Sequence, residues 1–257
     1  MILEVDLSLI ESLAVLGAGA AAGAINAVVG SGTLITFPVL LALGYPPVVA
    51  NVSNTVGLVP GSLSGAYTYR RELAGHGRLL LTLAIAAVAG AITGALLLLW
   101  LPSGAFDTIV PVLIGLALIL VVAQPWLARR LAGIPPGEKH RPVGPLLLLG
   151  VYAAGTYGGY FGAAQGVLMV GLFGVLLSTD LQWLNGIKNL LTGLVNAVAA
   201  VLFVIVGDVA WEPALLIAAG SVVGGFVGGH WGRKLPRAVL RGVIVVVGLA
   251  AIANLLF

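Results

Sequence analysis

Two stretches decide the reading of this chain: GAINAVVGSGTLITFPVLLALG at residues 23–44 and YGGYFGAAQGVLMVGLFGVLLS at residues 157–178. Each joins an apolar run to a second, short apolar run through a glycine-rich interruption. The interruptions are Gly30-Ser31-Gly32 and Ala164-Gln165-Gly166. The short runs, 33–44 and 167–178, hold about twelve residues and cover about 18 Å as helix, against a hydrocarbon core of about 30 Å. Neither is long enough to cross alone. Paired short, glycine-interrupted segments in two halves of a chain point to a transporter-type binding site.

The rest of the chain reads outward from these two points. Hydrophobic residues make up 60% and charged residues 8%, with a mean hydropathy of +1.14. A soluble domain carries about 25% charged residues, so most of this surface must face lipid. Apolar segments fall at 9–30, 33–44, 48–69, 79–101 and 105–126, then at 144–164, 167–178, 183–207, 212–230 and 238–257. The polar stretch 127–143 separates them. The expected organisation is a first membrane repeat at 1–126, a linker at 127–143 and a second membrane repeat at 144–257. An offset of 134 residues aligns Gly32 with Gly166 and Asn51 with Asn185. The acidic N-terminus lacks the basic start of a secretory signal and reads as part of the mature chain.

Charge placement sets the orientation. Eleven of the twelve basic residues fall in three places: Arg70, Arg71 and Arg78; Arg129, Arg130, Lys139 and Arg141; and Arg233, Lys234, Arg237 and Arg241. The positive-inside rule puts all three in the cytoplasm. Asp107, Asp208, Glu212 and the N-terminal Glu4, Asp6 and Glu11 then lie outside. The expectation is an all-α, multi-pass protein of the plasma membrane. Its N- and C-termini lie outside and its linker is cytoplasmic. Five segments per half is an odd number, so the two repeats have inverted topology, each opened by a broken or re-entrant hairpin. Trp100, Trp126, Trp183, Trp211 and Trp231 fall near segment ends, as an aromatic belt requires.

Several chemistries drop out. The chain has no cysteine, so disulfides, thiolate metal sites and thiol catalysis are excluded. His76, His140 and His230 lie in or beside polar loops, so neither a metal nor a cofactor is expected. No carboxylate lies at depth to relay protons, although a substrate could carry its own. No phosphate-binding loop precedes Lys188.

The remaining polar residues carry two readings each. Lys188 is either a positive anchor for an anion or an ammonium that snorkels to the interface. Asn185 and Asn189 share its helix face. Asn51, Ser53, Asn54 and Thr55 form a polar run on segment 48–69 that either lines a cavity or glues helices. The breaks at Ser31-Gly32-Thr33 and Gln165-Gly166-Val167 either present free N–H groups to an anion or allow close packing, as at Gly17, Gly19 and Gly23. Tyr160 either donates to a substrate or packs.

These residues resemble a known family. Gly23, Asn26, Gly30-Ser31-Gly32, Phe37-Pro38, Asn51-Val52-Ser53-Asn54-Thr55 and Pro60-Gly61 are similar to the N-terminal signature of the TauE/SafE sulfite exporters. Gly159 through Gly166 and the run from Asn185 to Lys188-Asn189 resemble its second-half counterpart. The resemblance implies a permease for small, typically sulfur-containing anions such as sulfite, sulfonates or sulfoacetate-like compounds, working by alternating access. The expected substrate-binding residues are Asn26, Gly30, Ser31, Gly32, Thr33, Asn51, Asn54, Thr55, Tyr160, Gln165, Gly166, Asn185, Lys188 and Asn189. The expected partners are that anion, the lipid bilayer and, optionally, further copies of the chain, with no nucleic acid. A channel-like anion pore is the alternative. An intramembrane enzyme would need a base near Ser31 and Lys188, and none accompanies them.

Overall fold

The computed structural model describes residues 7–132, 144–177, 181–231 and 237–256. Ten helices make up the described residues: α1 (Leu9–Val28), α2 (Thr33–Ala42), α3 (Pro47–Thr68), α4 (Gly77–Trp100), α5 (Ser103–Ala132), α6 (Pro145–Tyr160), α7 (Gln165–Leu176), α8 (Leu181–Val206), α9 (Trp211–Trp231) and α10 (Arg237–Leu256). Helix is the only open-ended element that satisfies its own backbone polar groups in lipid. The ends are set locally. Ser8 and Glu11 close a capping box at the start of α1, and Pro47 and Pro145 occupy the first turns of α3 and α6.

Each apolar segment of the sequence corresponds to one helix. Helix α5 runs on to Ala132, six residues into the stretch read as linker, and residues 133–143 lie outside the described set. Five helices have the length and apolarity to cross a membrane: α1, α4, α5, α8 and α9. Helix α3 has the length, 22 residues, but buries Asn51, Ser53, Asn54, Thr55 and Ser62. The distribution is inside-out. Polar side chains are internal, whereas Leu81, Ile85, Val112, Ile119, Leu149, Ile205 and Val246 are all more than 60% exposed. Such an exterior matches lipid, not water. Trp100, Trp126, Trp211 and Trp231 are likewise exposed, while Trp183 is buried with its ring 5.1 Å from that of His76. Four of the five tryptophans thus have the exposure that an aromatic belt requires, and Trp183 packs inside.

Helix pairs recur across the two halves. Helix α1 lies on α9, and α6 lies on α4; α3 also touches α9, and α8 touches α4. Helix α2 meets α10, and α7 meets α5. Two pairs, α3 with α8 and α5 with α10, join corresponding helices. Exchanging each helix of the first half for its counterpart in the second maps these contacts onto themselves.

Small residues permit the closest of these approaches. A Cβ on Gly19 would sit 2.8 Å from the Ile217 carbonyl oxygen, and one on Gly155 would sit 2.6 Å from that of Ala87. Gly23 abuts the Ser221 backbone, and Gly94 that of Thr156. Gly17, the third glycine read as a packing residue, has open space beside it. Dispersion between closely packed backbones holds membrane helices together where no hydrophobic force does. Gly19→Val and Gly155→Val should therefore each destabilise the fold by about 1–3 kcal/mol. Gly17→Val should be neutral. Thermal unfolding of the detergent-solubilised variants checks this, and equal melting temperatures for Gly17→Val and Gly19→Val would contradict it.

Candidate functional site

Both hairpins break in the same way. At the end of α1, the Val29 amide donates to the Ile25 carbonyl at 2.7 Å and the Gly30 amide donates to the same oxygen at 3.1 Å. At the end of α6, the Phe161 and Gly162 amides donate to the Tyr157 carbonyl at 2.9 and 3.0 Å. Gly30 and Gly162 have φ of +88° and +78°, a region that glycine enters without steric cost. The second break therefore lies at Phe161–Ala164, and Gln165-Gly166 already begins α7. Gly162 is the counterpart of Gly30, at an offset of 132, so Gly166 is not the counterpart of Gly32 that the offset of 134 made it. The offset of 134 holds only from α3 and α8 onward, because α7 is two residues longer than α2.

The two breaks touch. The Gly166 amide donates to the Gly30 carbonyl at 3.2 Å. A Cβ on either glycine would lie 2.5 Å from the Cα of the other, so no side chain fits at either place. This corrects one expectation: the Gly166 N–H, read as facing an anion, is held by Gly30. Val167 and Leu168 donate to Ala164, so the start of α7 is largely satisfied. The start of α2 differs. Leu34 donates to Ser31 and Ile35 to Gly32, but among the described residues no backbone acceptor takes the amides of Ser31, Gly32 or Thr33.

Each long polar helix holds the broken end belonging to the other half. On α3, the Asn51 amide Nδ2 donates to the Tyr160 carbonyl, the last residue of α6, at 2.9 Å. One turn on, Asn54 Nδ2 donates to Thr33 Oγ1 at 3.2 Å, and its Oδ1 accepts a short hydrogen bond from Thr36. On α8, Lys188 Nζ donates to the carbonyls of Asn26 and Ala27 at 3.1 and 3.0 Å, and Asn189 Nδ2 donates to Ala27 at 3.2 Å. The Asn26 and Asn196 side chains both donate to Ser62 Oγ.

Lys188 is fully buried. The snorkelling reading is thus overturned: the ammonium sits against the carbonyl end of α1, where the helix dipole favours a cation. Its stem runs beside Gly166, whose added Cβ would lie 3.1 Å from Lys188 Cδ. Asn185 and Thr55 are also buried, but none of the hydrogen bonds just described involves them.

A group of polar atoms around the breaks is left without a protein partner. Ser31 Oγ, Asn51 Oδ1, Tyr160 Oη and both amide atoms of Gln165 are buried and unpartnered. Ser31, Asn51 and Gln165 have no exposed surface at all. Each such atom costs about 1–3 kcal/mol if nothing meets it, so their gathering calls for an occupant. Ser31 and Gln165 directly adjoin the Gly30–Gly166 contact in sequence, and Asn51 is bonded to Tyr160. An aromatic floor lies beneath: the Phe37 and Phe161 rings are 5.2 Å apart edge to face, and Phe106 lies 5.6 Å from Tyr160. Phe37, Phe106, Thr36, Ser62 and Asn196 were not legible as site residues. Of these, Thr36 offered a signal, on the same helical face as Thr33 and Gly32, and Phe37 stood in the signature without being read as a site residue.

The two ends of the bundle differ. A cavity of about 490 Å³ opens where α3 begins and α4 and α8 end, lined by Pro46, Val49, Val52, Leu98, Val206 and Asp208 among others. Val52 is the neighbour of Asn51. At the opposite end the loop 69–76 covers the start of α8: a Cβ on Gly186 would lie 3.1 Å from Leu73 Cδ2, and His76 stacks edge-on against Trp183. A second cavity, of about 550 Å³, lies between α5, α6 and α7 and is apolar. It offers no polar group for an ion.

If Lys188 positions α1, Lys188→Met should leave the Asn26 carbonyl unpaired and the Ala27 carbonyl with Asn189 alone, and cost about 2–4 kcal/mol of stability. The melting temperature in detergent should then fall well below that of Asn189→Leu. An unchanged melting temperature with lost transport would instead make Lys188 a direct ligand.

The sequence comparisons agree with this architecture. A family model described as "Sulfite exporter TauE/SafE" matches residues 15–255. A probable membrane transporter, ORF9, of Sinorhizobium sp is 31% identical over 251 residues, covering 91% of this chain and 88% of the relative. The probable membrane transporter YfcA of Escherichia coli (strain K12) is 28% identical over 242 residues, covering 92% and 86%. A probable membrane transporter of Haemophilus influenzae is 26% identical, covering 93% and 92%. No solved structure matches. With the family's model spanning nearly the whole chain, and six further helices packed around two broken hairpins among the described residues, the chain belongs to the TauE/SafE family of membrane transporters, not to an enzyme family.

Proposed function

We propose that this transporter carries a small, sulfur-containing oxyanion such as sulfite or an organosulfonate across the plasma membrane, by alternating access at the meeting of its two breaks. The observation that carries the reading is the set of buried, unpartnered polar atoms on Ser31, Asn51, Tyr160 and Gln165, residues that belong to the two breaks or bond to them. Donors with no protein acceptor and the positive end of a helix dipole favour a negative guest. Gly32 and Thr33 contribute backbone and hydroxyl groups, whereas both backbone groups of Gly30 are engaged, by Ile25 and Gly166. Gly166, Asn26, Asn54, Lys188 and Asn189 keep the broken ends in place. The charge of Lys188 also offsets the carbonyl end of α1 that would otherwise repel an anion. The sulfur-anion reading rests on the family's description as sulfite exporters; the relatives' names say only that they are membrane transporters.

The two halves, 1–126 and 144–257, are read as repeats of opposite orientation, with 127–143 in the cytoplasm and both termini outside. Support comes from the odd helix count in each half, from the basic residues of the loops, and from the exchange of helix contacts between halves. A cavity at one end with a covered opposite end suits alternating access better than an open pore. In this orientation the cavity faces outside, and loop 69–76 is the inner cover.

Flux into proteoliposomes tests the reading. Sulfite, sulfate, a short sulfonate and a short carboxylate are compared, each with and without Na⁺ and proton gradients. Saturable flux selective for sulfite or the sulfonate, with counterflow, is expected. Absence of flux for all four from folded protein would sink the substrate reading. Non-saturating flux without counterflow would indicate a pore.

A further inference from the structure

The unpartnered groups are not interchangeable. Ser31 and Tyr160 carry hydroxyls, which donate or accept by rotating, and the Gln165 amide can present either end. Asn51 cannot. Its side chain is bonded to the Tyr160 carbonyl at 2.9 Å, and a carbonyl oxygen only accepts. The nitrogen must therefore face Tyr160, which fixes the other end of the amide as an acceptor. That oxygen, Asn51 Oδ1, is buried and has no partner, and Asn51 has no exposed surface. Neither the Ser31 nor the Tyr160 hydroxyl reaches it, since both are themselves unpartnered.

A fixed, buried acceptor repels the lone pairs of a fully ionised oxyanion. It is satisfied only by a ligand that brings a hydrogen. The surroundings exclude a bare cation as the favoured guest: Lys188 is buried beside Gly166, and among the described residues no backbone acceptor takes the amides of Ser31, Gly32 and Thr33. The guest must be negative overall and still hold a donor. We infer that the site selects protic oxyanions, meaning a monoprotonated anion or one bearing a hydroxyl, over aprotic anions of the same size, and that Asn51 Oδ1 is the selecting atom. This rests on the reading of the breaks as an oxyanion site and names the class of anion within it. It also lets a proton cross with the substrate although no carboxylate lies at depth.

Calorimetric binding to the purified full chain in detergent separates the possibilities. The probes are hydroxymethanesulfonate, which keeps an O–H; methanesulfonate, of the same charge without one; sulfate; and sulfite across its second ionisation. Hydroxymethanesulfonate should bind about 10- to 100-fold more tightly than methanesulfonate, the cost of leaving one buried acceptor unmet. Sulfite affinity should fall about tenfold per pH unit above its second ionisation, while hydroxymethanesulfonate affinity stays level. Asn51→Leu should bring the ratio of the two sulfonates close to one, and Ser31→Ala should weaken both and keep the ratio. Because the ratio is measured first on the unaltered protein, a misfolded Asn51→Leu does not remove the test. Equal binding of methanesulfonate and hydroxymethanesulfonate would overturn the selection, with water then meeting Asn51 Oδ1. Binding that requires Na⁺ regardless of ligand protonation would give that oxygen to a cation and overturn it too. If none of the anions binds to folded protein, the oxyanion site itself falls, and the inference with it.

Discussion

Interrupting a helix at membrane depth frees backbone groups that lipid cannot meet, and the contact between Gly30 and Gly166 is how this chain lives with two such interruptions. Each break supplies what the other lacks. The Gly30 carbonyl, released by the end of α1, accepts from the Gly166 amide, released by the start of α7. The approach is close enough that a Cβ on either residue would lie 2.5 Å from the opposite Cα. The carbonyls that remain at the two helix ends go to side chains on α3 and α8. Asn51 takes Tyr160, while Lys188 and Asn189 take Asn26 and Ala27. The polar content of α3 and α8, which would be costly in lipid, follows from this need. These helices are polar because the broken hairpins they hold are polar.

This crosswise holding also ties the halves together. A side chain of the first half secures the broken end of α6, and side chains of the second half secure that of α1. Movement of one half against the other must then carry the partner's broken helix with it or exchange these bonds. Such an arrangement has discrete states, because charged and amide hydrogen bonds are either made or lost in a medium with no water to replace them.

The helices themselves were legible because apolarity in a membrane chain is nearly synonymous with helix, and their ends follow from prolines, glycines and charges read locally. The exact break in the second half was not. Gly166 looked like the counterpart of Gly32 through its neighbours, but the left-handed residues that align the two breaks are Gly30 and Gly162. Positive φ leaves no mark on a glycine in sequence. Lys188 illustrates a different limit. A lysine one and a half turns into a helix reaches the interface or not depending on what covers that end. The cover here, Tyr69, Leu73 and His76, belongs to a loop more than a hundred residues away. The polar runs were visible as runs, but which atom each side chain meets depends on the tertiary contact between halves.

The near-symmetry of the halves makes their differences informative. Both breaks have a left-handed glycine as their second residue and both are held from the opposite half, yet their following helices are not equivalent. The start of α7 spends its amides on Gly30, Gly162 and Ala164. Among the described residues, the start of α2 keeps those of Ser31, Gly32 and Thr33 clear of backbone acceptors, and the Ser31 hydroxyl beside them is unpartnered. A pair of equal helix dipoles converging on one ion would require both starts to be open. Here the Gly30 carbonyl closes one of them, and Gln165, fully buried with its amide unengaged, remains as the second half's contribution. The proposed site would therefore combine a backbone cradle at the start of α2 with one side chain of the second half, Gln165, whose amide lies against Gly158.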